Sequence, residues 1–184
     1  PSGGAGMVST GANRGGTWSP DGTILFSPDP SRPLFRVPSS GGEAVAVTER
    51  DKLGSRTRPW FLPDGRQFLF YAVGTTPETA GIYLGSLDSP ETKRLAAADT
   101  PGVYSPAGSL AGWLLFIRAG TLFAQRLDLG RGELTGDPVT VADGVASNGS
   151  GAFSVSATGL VAYRSGEAGQ RQLVWFDRSG KTLG

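Results

Sequence analysis

The sequence predicts an all-β fold built from about four copies of a small antiparallel sheet, and three observations carry that prediction. A turn phrase recurs at Pro20-Asp21-Gly22, Pro63-Asp64-Gly65, Pro106-Ala107-Gly108 and Ala157-Thr158-Gly159, with its glycines 43, 43 and 51 residues apart. Each turn follows an aromatic residue (Trp18, Phe61, Tyr104, Phe153) and precedes a short apolar run. No segment combines helix length, caps and apolar residues at helical spacing.

The elements follow in order. The first strand of each unit carries the aromatic. In the turn, proline presets φ, aspartate bonds nearby backbone N–H groups and glycine takes positive φ without strain. The second strand is "TILF" 23–26, "FLFY" 68–71, "WLLFI" 113–117 or "LVAY" 160–163. In the third copy "SLAG" 109–112 reads as a small insertion in the turn. A third strand follows: "PLFRVP" 33–38, "GIYLGSL" 81–87, "TLFAQRL" 121–127 or "QLVWFD" 172–177. Along 121–127, Leu122, Ala124 and Arg126 fall on one face, and Phe123, Gln125 and Leu127 on the other. A second turn ("SSGG", "DSPE", "DLGRGE", "RSGK") leads to a fourth strand: "EAVAVT" 43–48, "TKRLA" 92–96 or "PVTVA" 138–142.

Four short strands in roughly 40–50 residues is the period of a β-propeller blade. One such sheet cannot bury both faces alone, so neighbouring blades must cover each other, with the aromatic before each turn filling the gap between them. The expected units are 11–48, 49–96, 97–142 and 143–184. Residues 1–10 are expected to be the last strand of a preceding blade, and the last unit to have a truncated fourth strand. The chain opens abruptly at "PSGGAG", like an excerpt, and no signal peptide is evident.

Composition narrows the function. Seventeen Lys+Arg against sixteen Asp+Glu give a formal charge of +1, and the arginines are scattered, so no nucleic-acid partner is expected. There is no cysteine and no histidine, which removes disulfides, Ser-His-Asp and Cys-His catalysis and His or Cys zinc sites. Wholly apolar runs reach at most six residues, against the roughly 20 needed to span a bilayer. The glycine-rich "NGSGAFS" 148–154 lacks the strand-to-helix setting of a phosphate loop, and Asp21, Asp64 and Asp99 occupy turn or loop positions. The chain is therefore read as not an enzyme, with no catalytic, cofactor-binding or metal-binding residue and no cofactor.

Recognition is expected at one end of the blades. The end opposite the Pro-Asp-Gly turns carries the longer segments, including "ERDKLGSRTR" 49–58, "AADTPG" 97–102 and "DGVASNGSG" 143–151. Long loops on a rigid scaffold commonly carry binding. The first is the richest in charge, and its Arg50, Lys52, Arg56 and Arg58 are the candidate partner-binding residues.

"WSPDG" and "LPDG", each followed by an apolar strand and a "GG" or "SG" hairpin, resemble the WD40-like PD40 repeats of TolB-type propellers. The stretches "GTLFAQRLDLGRGELTGDPVTVADGV" 120–145 and "FSVSATGLVAYRSG…QLVWFDRSGKTLG" 153–184 resemble the C-terminal region of bacterial serine/threonine protein kinases that carry such repeats. That resemblance implies a signalling (sensor) module on the extracytoplasmic, periplasmic side of a bacterial inner membrane. It would bind a protein, peptide or small ligand on the loop-rich face without touching the membrane directly. No kinase motif lies in this chain, so no catalytic residue carries over. Rings of this type usually have six or more blades. Either the fragment is an open arc, whose exposed blade edge invites self-association, or a strand near Met7-Val8 closes a four-bladed ring. The larger family ring favours the arc. Alternative contexts are the substrate-gating propeller of a prolyl-oligopeptidase-like hydrolase and a TolB-like periplasmic assembly factor.

Overall fold

The computed structural model describes residues 14–29, 32–49, 53–107, 111–147, 150–156 and 158–166, and these contain strands and turns but no helix. The first blade is β1 Gly16–Trp18, β2 Thr23–Phe26, β3 Phe35–Pro38 and β4 Val45–Ala46. The second is β5 Arg56–Phe61, β6 Gln67–Ala72, β7 Gly81–Ser86 and β8 Lys93–Ala96. The third is β9 Val103–Pro106, β10 Ala111–Arg118, β11 Thr121–Asp128 and β12 Glu133–Ala142. Of the fourth, β13 Phe153–Val155 and β14 Val161–Tyr163 are described. Each sheet is antiparallel, and its strands pair in chain order.

The recurring turns work as their spelling predicts. The Asp21 carboxylate accepts the Thr23 N–H at 2.9 Å, and Asp64 accepts those of Arg66 and Gln67 at 3.1 and 2.9 Å. The third copy is not irregular in the way the sequence suggested. Its turn is closed by the Ala107 N–H donating to Ala111 C=O at 3.1 Å, the same span as Ser19 to Thr23 and Ser156 to Leu160. It is the second copy, Leu62 to Gln67, that is one residue longer. Gly112 belongs to β10, opposite Pro106. It is glycine because the Tyr104 ring lies on it: a Cβ there would sit 2.3 Å from a ring carbon.

Among the described residues, three apolar cores lie between successive blades. Leu25 and Leu34 of the first blade meet Phe61, Phe68, Phe70 and Tyr83 of the second. Leu69, Ile82 and Leu84 meet Tyr104, Leu114, Phe116 and Leu127 of the third. Leu115, Ile117 and Leu122 pack with Val145, Phe153 and Val155 toward the fourth. Strand alternation produces this: on β6, Phe68 and Phe70 face back while Leu69 faces forward, and on β10 Leu114 and Phe116 face back while Leu115 and Ile117 face forward. Burying each large side chain is worth about 1.5–3 kcal/mol, so every internal blade depends on both neighbours.

The aromatics before the turns behave alike with one exception. Phe61, Tyr104 and Phe153 each pack back on the preceding blade. Trp18 is 65% exposed. At the same register it faces away from the second blade, and no described residue covers it. Residues 1–10 and 172–177, expected as strands, and Met7-Val8, expected as a closing strand, lie outside the described residues. The fourth strand of the third blade, expected at 138–142, begins at Glu133, and its pairing with β11 shifts register twice.

Candidate functional site

The first strand of each blade lies at the hub, where β1 runs against β5 and β9 against β13. Their N-terminal ends border a cleft of about 330 Å³. The chain reaches these ends from the connections between blades, so the cleft opens on the loop-rich end, opposite the Pro-Asp-Gly turns. Its walls are Gly15 and Gly16 from the first blade, Arg58, Pro59 and Trp60 from the second, Pro101, Gly102 and Val103 from the third, and Ser150, Gly151 and Phe153 from the fourth.

A rule in the repeat produces these walls. Two residues before the aromatic stand Gly16, Pro59, Gly102 and Gly151, and all four line the cleft. The hub is crowded there. A Cβ on Gly102 would come within 2.7 Å of Ile82 and 2.9 Å of Leu114. This position, a glycine two before each unit's aromatic in three of four copies, was a signal in the sequence that attention to the turns passed over.

The second blade departs from the rule. Thr57 pairs with Tyr71 but Trp60 with Leu69, so β5 carries one extra residue, a bulge at Arg58-Pro59. Bulges re-aim side chains. Arg58 takes φ 51°, a left-handed conformation that strains a residue with a Cβ. Contacts across the blade boundary hold it. The Arg58 N–H donates to Arg14 C=O at 2.8 Å, and the place of a Cβ on Gly15 is 3.0 Å from the Arg58 Cα. Further along, Phe61 N–H donates to Thr17 Oγ1 at 3.3 Å, Ser19 Oγ to Gly65 C=O at 3.2 Å and Ser27 Oγ to Arg56 C=O at 2.7 Å.

Of the basic residues singled out from the sequence, Arg56 and Arg58 are among the described residues, and of these two Arg58 lines the cleft. Arg56 is 2% exposed on β5 and donates from Nη1 to Gly54 C=O at 3.4 Å, so it offers no contact surface. The 49–58 segment was expected to be a loop throughout, but the inner strand already begins at Arg56. Arg50 and Lys52 lie outside the described residues. Trp60, 55% exposed beside Arg58, was not singled out.

Among the described residues no acidic side chain lines the cleft. The ionisation shifts lie elsewhere: Thr23 hydrogen bonds hold Asp21 below the usual carboxylate range, the Arg66 partner does the same for Asp88, and burial pushes the Tyr71 and Tyr104 phenols up. Among the described residues no three His, Cys, Asp or Glu side chains gather to hold a metal ion, and no helix is long and apolar enough to cross a membrane.

The architecture of the described residues defines a TolB-like β-propeller fold, with successive blades packed on one another. No family model matches the chain, and no curated protein matches it. Solved structures do. The chain is similar to TolB from Acinetobacter baumannii, with 21% identity over 94% of this chain and 43% of that one and a TM-score of 0.56. It is also similar to the β-propeller domain of the Trilobed protease from Pyrococcus furiosus, described as having an open velcro topology (10% identity, 71% and 42% covered, TM-score 0.54). A third similar chain comes from a nidogen/laminin complex (13% identity, 71% and 48% covered, TM-score 0.52). The chain thus spans less than half the length of each, and at these identities the likeness concerns the fold alone.

Proposed function

We propose that the chain is a non-enzymatic interaction module that takes a protein, peptide or small ligand into the hub cleft. In this reading it is the sensor part of a bacterial receptor-like serine/threonine kinase, on the extracytoplasmic side of the membrane, and binding is passed to the attached kinase domain. The observation that carries the reading is the cleft itself, where ends of four inner strands converge on glycines, an exposed indole and a guanidinium. The absence of histidine and cysteine supports the non-enzymatic part, and the kinase-like stretches 120–145 and 153–184 support the context. A concave site with a few polar groups on a rigid scaffold is the general form of a binding site.

The likeness to a protease propeller favours a second reading, in which the arc gates access to a separate hydrolase domain. The coding sequence on either side decides between them. A kinase domain and membrane span upstream support the first, and a Gly-x-Ser-x-Gly domain downstream supports the second.

The binding claim is tested by selecting a displayed random peptide library on the immobilised chain and on Ser150→Trp, which puts an indole into the cleft from an exposed wall position. Sequences enriched on the wild type and lost on the variant are expected. Equal enrichment on both would remove the cleft from the function.

A further inference from the structure

We propose that Arg58 makes the cleft a receptor for a carboxylate, so that the ligand is an acidic peptide segment. Its Asp or Glu side chain meets the guanidinium while a neighbouring apolar side chain lies on Trp60. This rests on the reading of the cleft as the binding site, and adds the chemistry of the occupant.

Four observations converge on Arg58. Its backbone is held at positive φ on a bulge, and strain of this kind clusters at functional positions. Its side chain is exposed at a wall that holds no acidic residue among the described residues. Its guanidinium has no hydrogen-bond or ion-pair partner among the described residues, whereas several other arginines are engaged. Arg32, Arg118 and Arg126 lie over Phe35, Phe123 and Trp113, Arg66 pairs with Asp88, and Arg94 donates to Pro77 C=O at 3.0 Å. The exposed Trp60 indole stands two residues away on the same wall. A planar guanidinium matches a carboxylate through two parallel N–H···O bonds, a geometry that an ammonium does not supply. Charge complementarity therefore selects an acidic partner, and the indole adds apolar area beside it.

The test uses two fluorescein-labelled octapeptide libraries that are identical except for a central Glu in one and Gln in the other. Anisotropy is read on the full wild-type chain, Arg58→Gln, Arg58→Lys and Ser150→Trp, with thermal unfolding to show that each variant is folded. The wild type is expected to bind the Glu library about tenfold more tightly, as for a hydrogen-bonded charge pair. Arg58→Gln should lose the preference, Arg58→Lys should keep only part of it, and Ser150→Trp should bind neither library. Equal binding of the two libraries by the wild type, still blocked in Ser150→Trp, would overturn the carboxylate and leave the cleft standing. A Glu preference kept in Arg58→Gln would overturn the role of Arg58. Binding unaffected by Ser150→Trp, or no binding of either library, would overturn the cleft reading itself.

Discussion

The inner strands of the second and third blades begin from the same plan and end differently. Both carry an aromatic packed back on the preceding blade, Phe61 at 8% and Tyr104 at 7% exposure. Both lead into a tight turn. At the hub they part: β9 pairs with β10 without interruption from Val103 to Pro106, behind Gly102, whereas β5 bulges at Arg58-Pro59. The shared half of each strand serves the stacking of blades, and the differing half faces the cleft. Stability is thus written into what repeats, and the candidate chemistry into what breaks the repeat.

The largest expected effect tests the shared half. Phe61→Ala and Tyr104→Ala should each cost about 3–5 kcal/mol, the range for emptying a buried aromatic site, measured by urea unfolding. Trp18→Ala, at the equivalent register but 65% exposed, should cost less than about 1 kcal/mol. A Trp18 penalty as large as the other two would mean that the indole is covered after all.

At the hub, Gly102→Val should destabilise by about 2–3 kcal/mol, since its Cβ has nowhere to go between Ile82 and Leu114. A neutral outcome in the same urea assay would show that the third blade's hub is as yielding as the second's.

Arg58→Gly should move the other way. Removing the Cβ relieves a strain of about 1–2 kcal/mol, partly offset by the greater freedom of glycine in the unfolded chain, for a net gain of roughly 0.5 kcal/mol. The same variant should lose any Glu-over-Gln preference. A less stable Arg58→Gly would mean that the bulge is held by the side chain and not imposed on it.

The smallest effect concerns the turn of the first blade. Hydrogen bonds from Thr23 lower the Asp21 pKa in the folded state. Its stabilisation is therefore present above the unfolded-state pKa and fades as pH falls through the lower, folded-state value. The thermal midpoint of the wild type should exceed that of Asp21→Ala at neutral pH, and the gap should shrink on acidification toward and below the ordinary carboxylate range. A gap that stays constant would show that Asp21 acts through something other than its charge.

Most of the blade pattern was legible because it rests on near neighbours in sequence. Period-two alternation placed Leu122 and Ala124 on one side of β11 and Phe123 and Leu127 on the other, and they do pack into different cores. The Pro-Asp-Gly spelling located the turns. The site was far less legible. Charge density drew attention to Arg50, Lys52, Arg56 and Arg58 together, but density does not reveal burial, and Arg56 is enclosed while Arg58 is exposed. A glycine near a turn looks local, so Gly112 reads as a turn residue in the sequence, while its reason is a ring on the adjacent strand.

By itself the sequence determined an all-β chain of repeated hairpins, because turn geometry and strand alternation are settled within a few residues of backbone. Only the tertiary structure decided that the bulge in β5 brings Arg58 and Trp60 to the same hub as Gly16, Gly102 and Gly151. Those residues lie tens of positions apart. Their meeting depends on how each blade leans on the next, a property of packed faces that no local stretch of chain encodes.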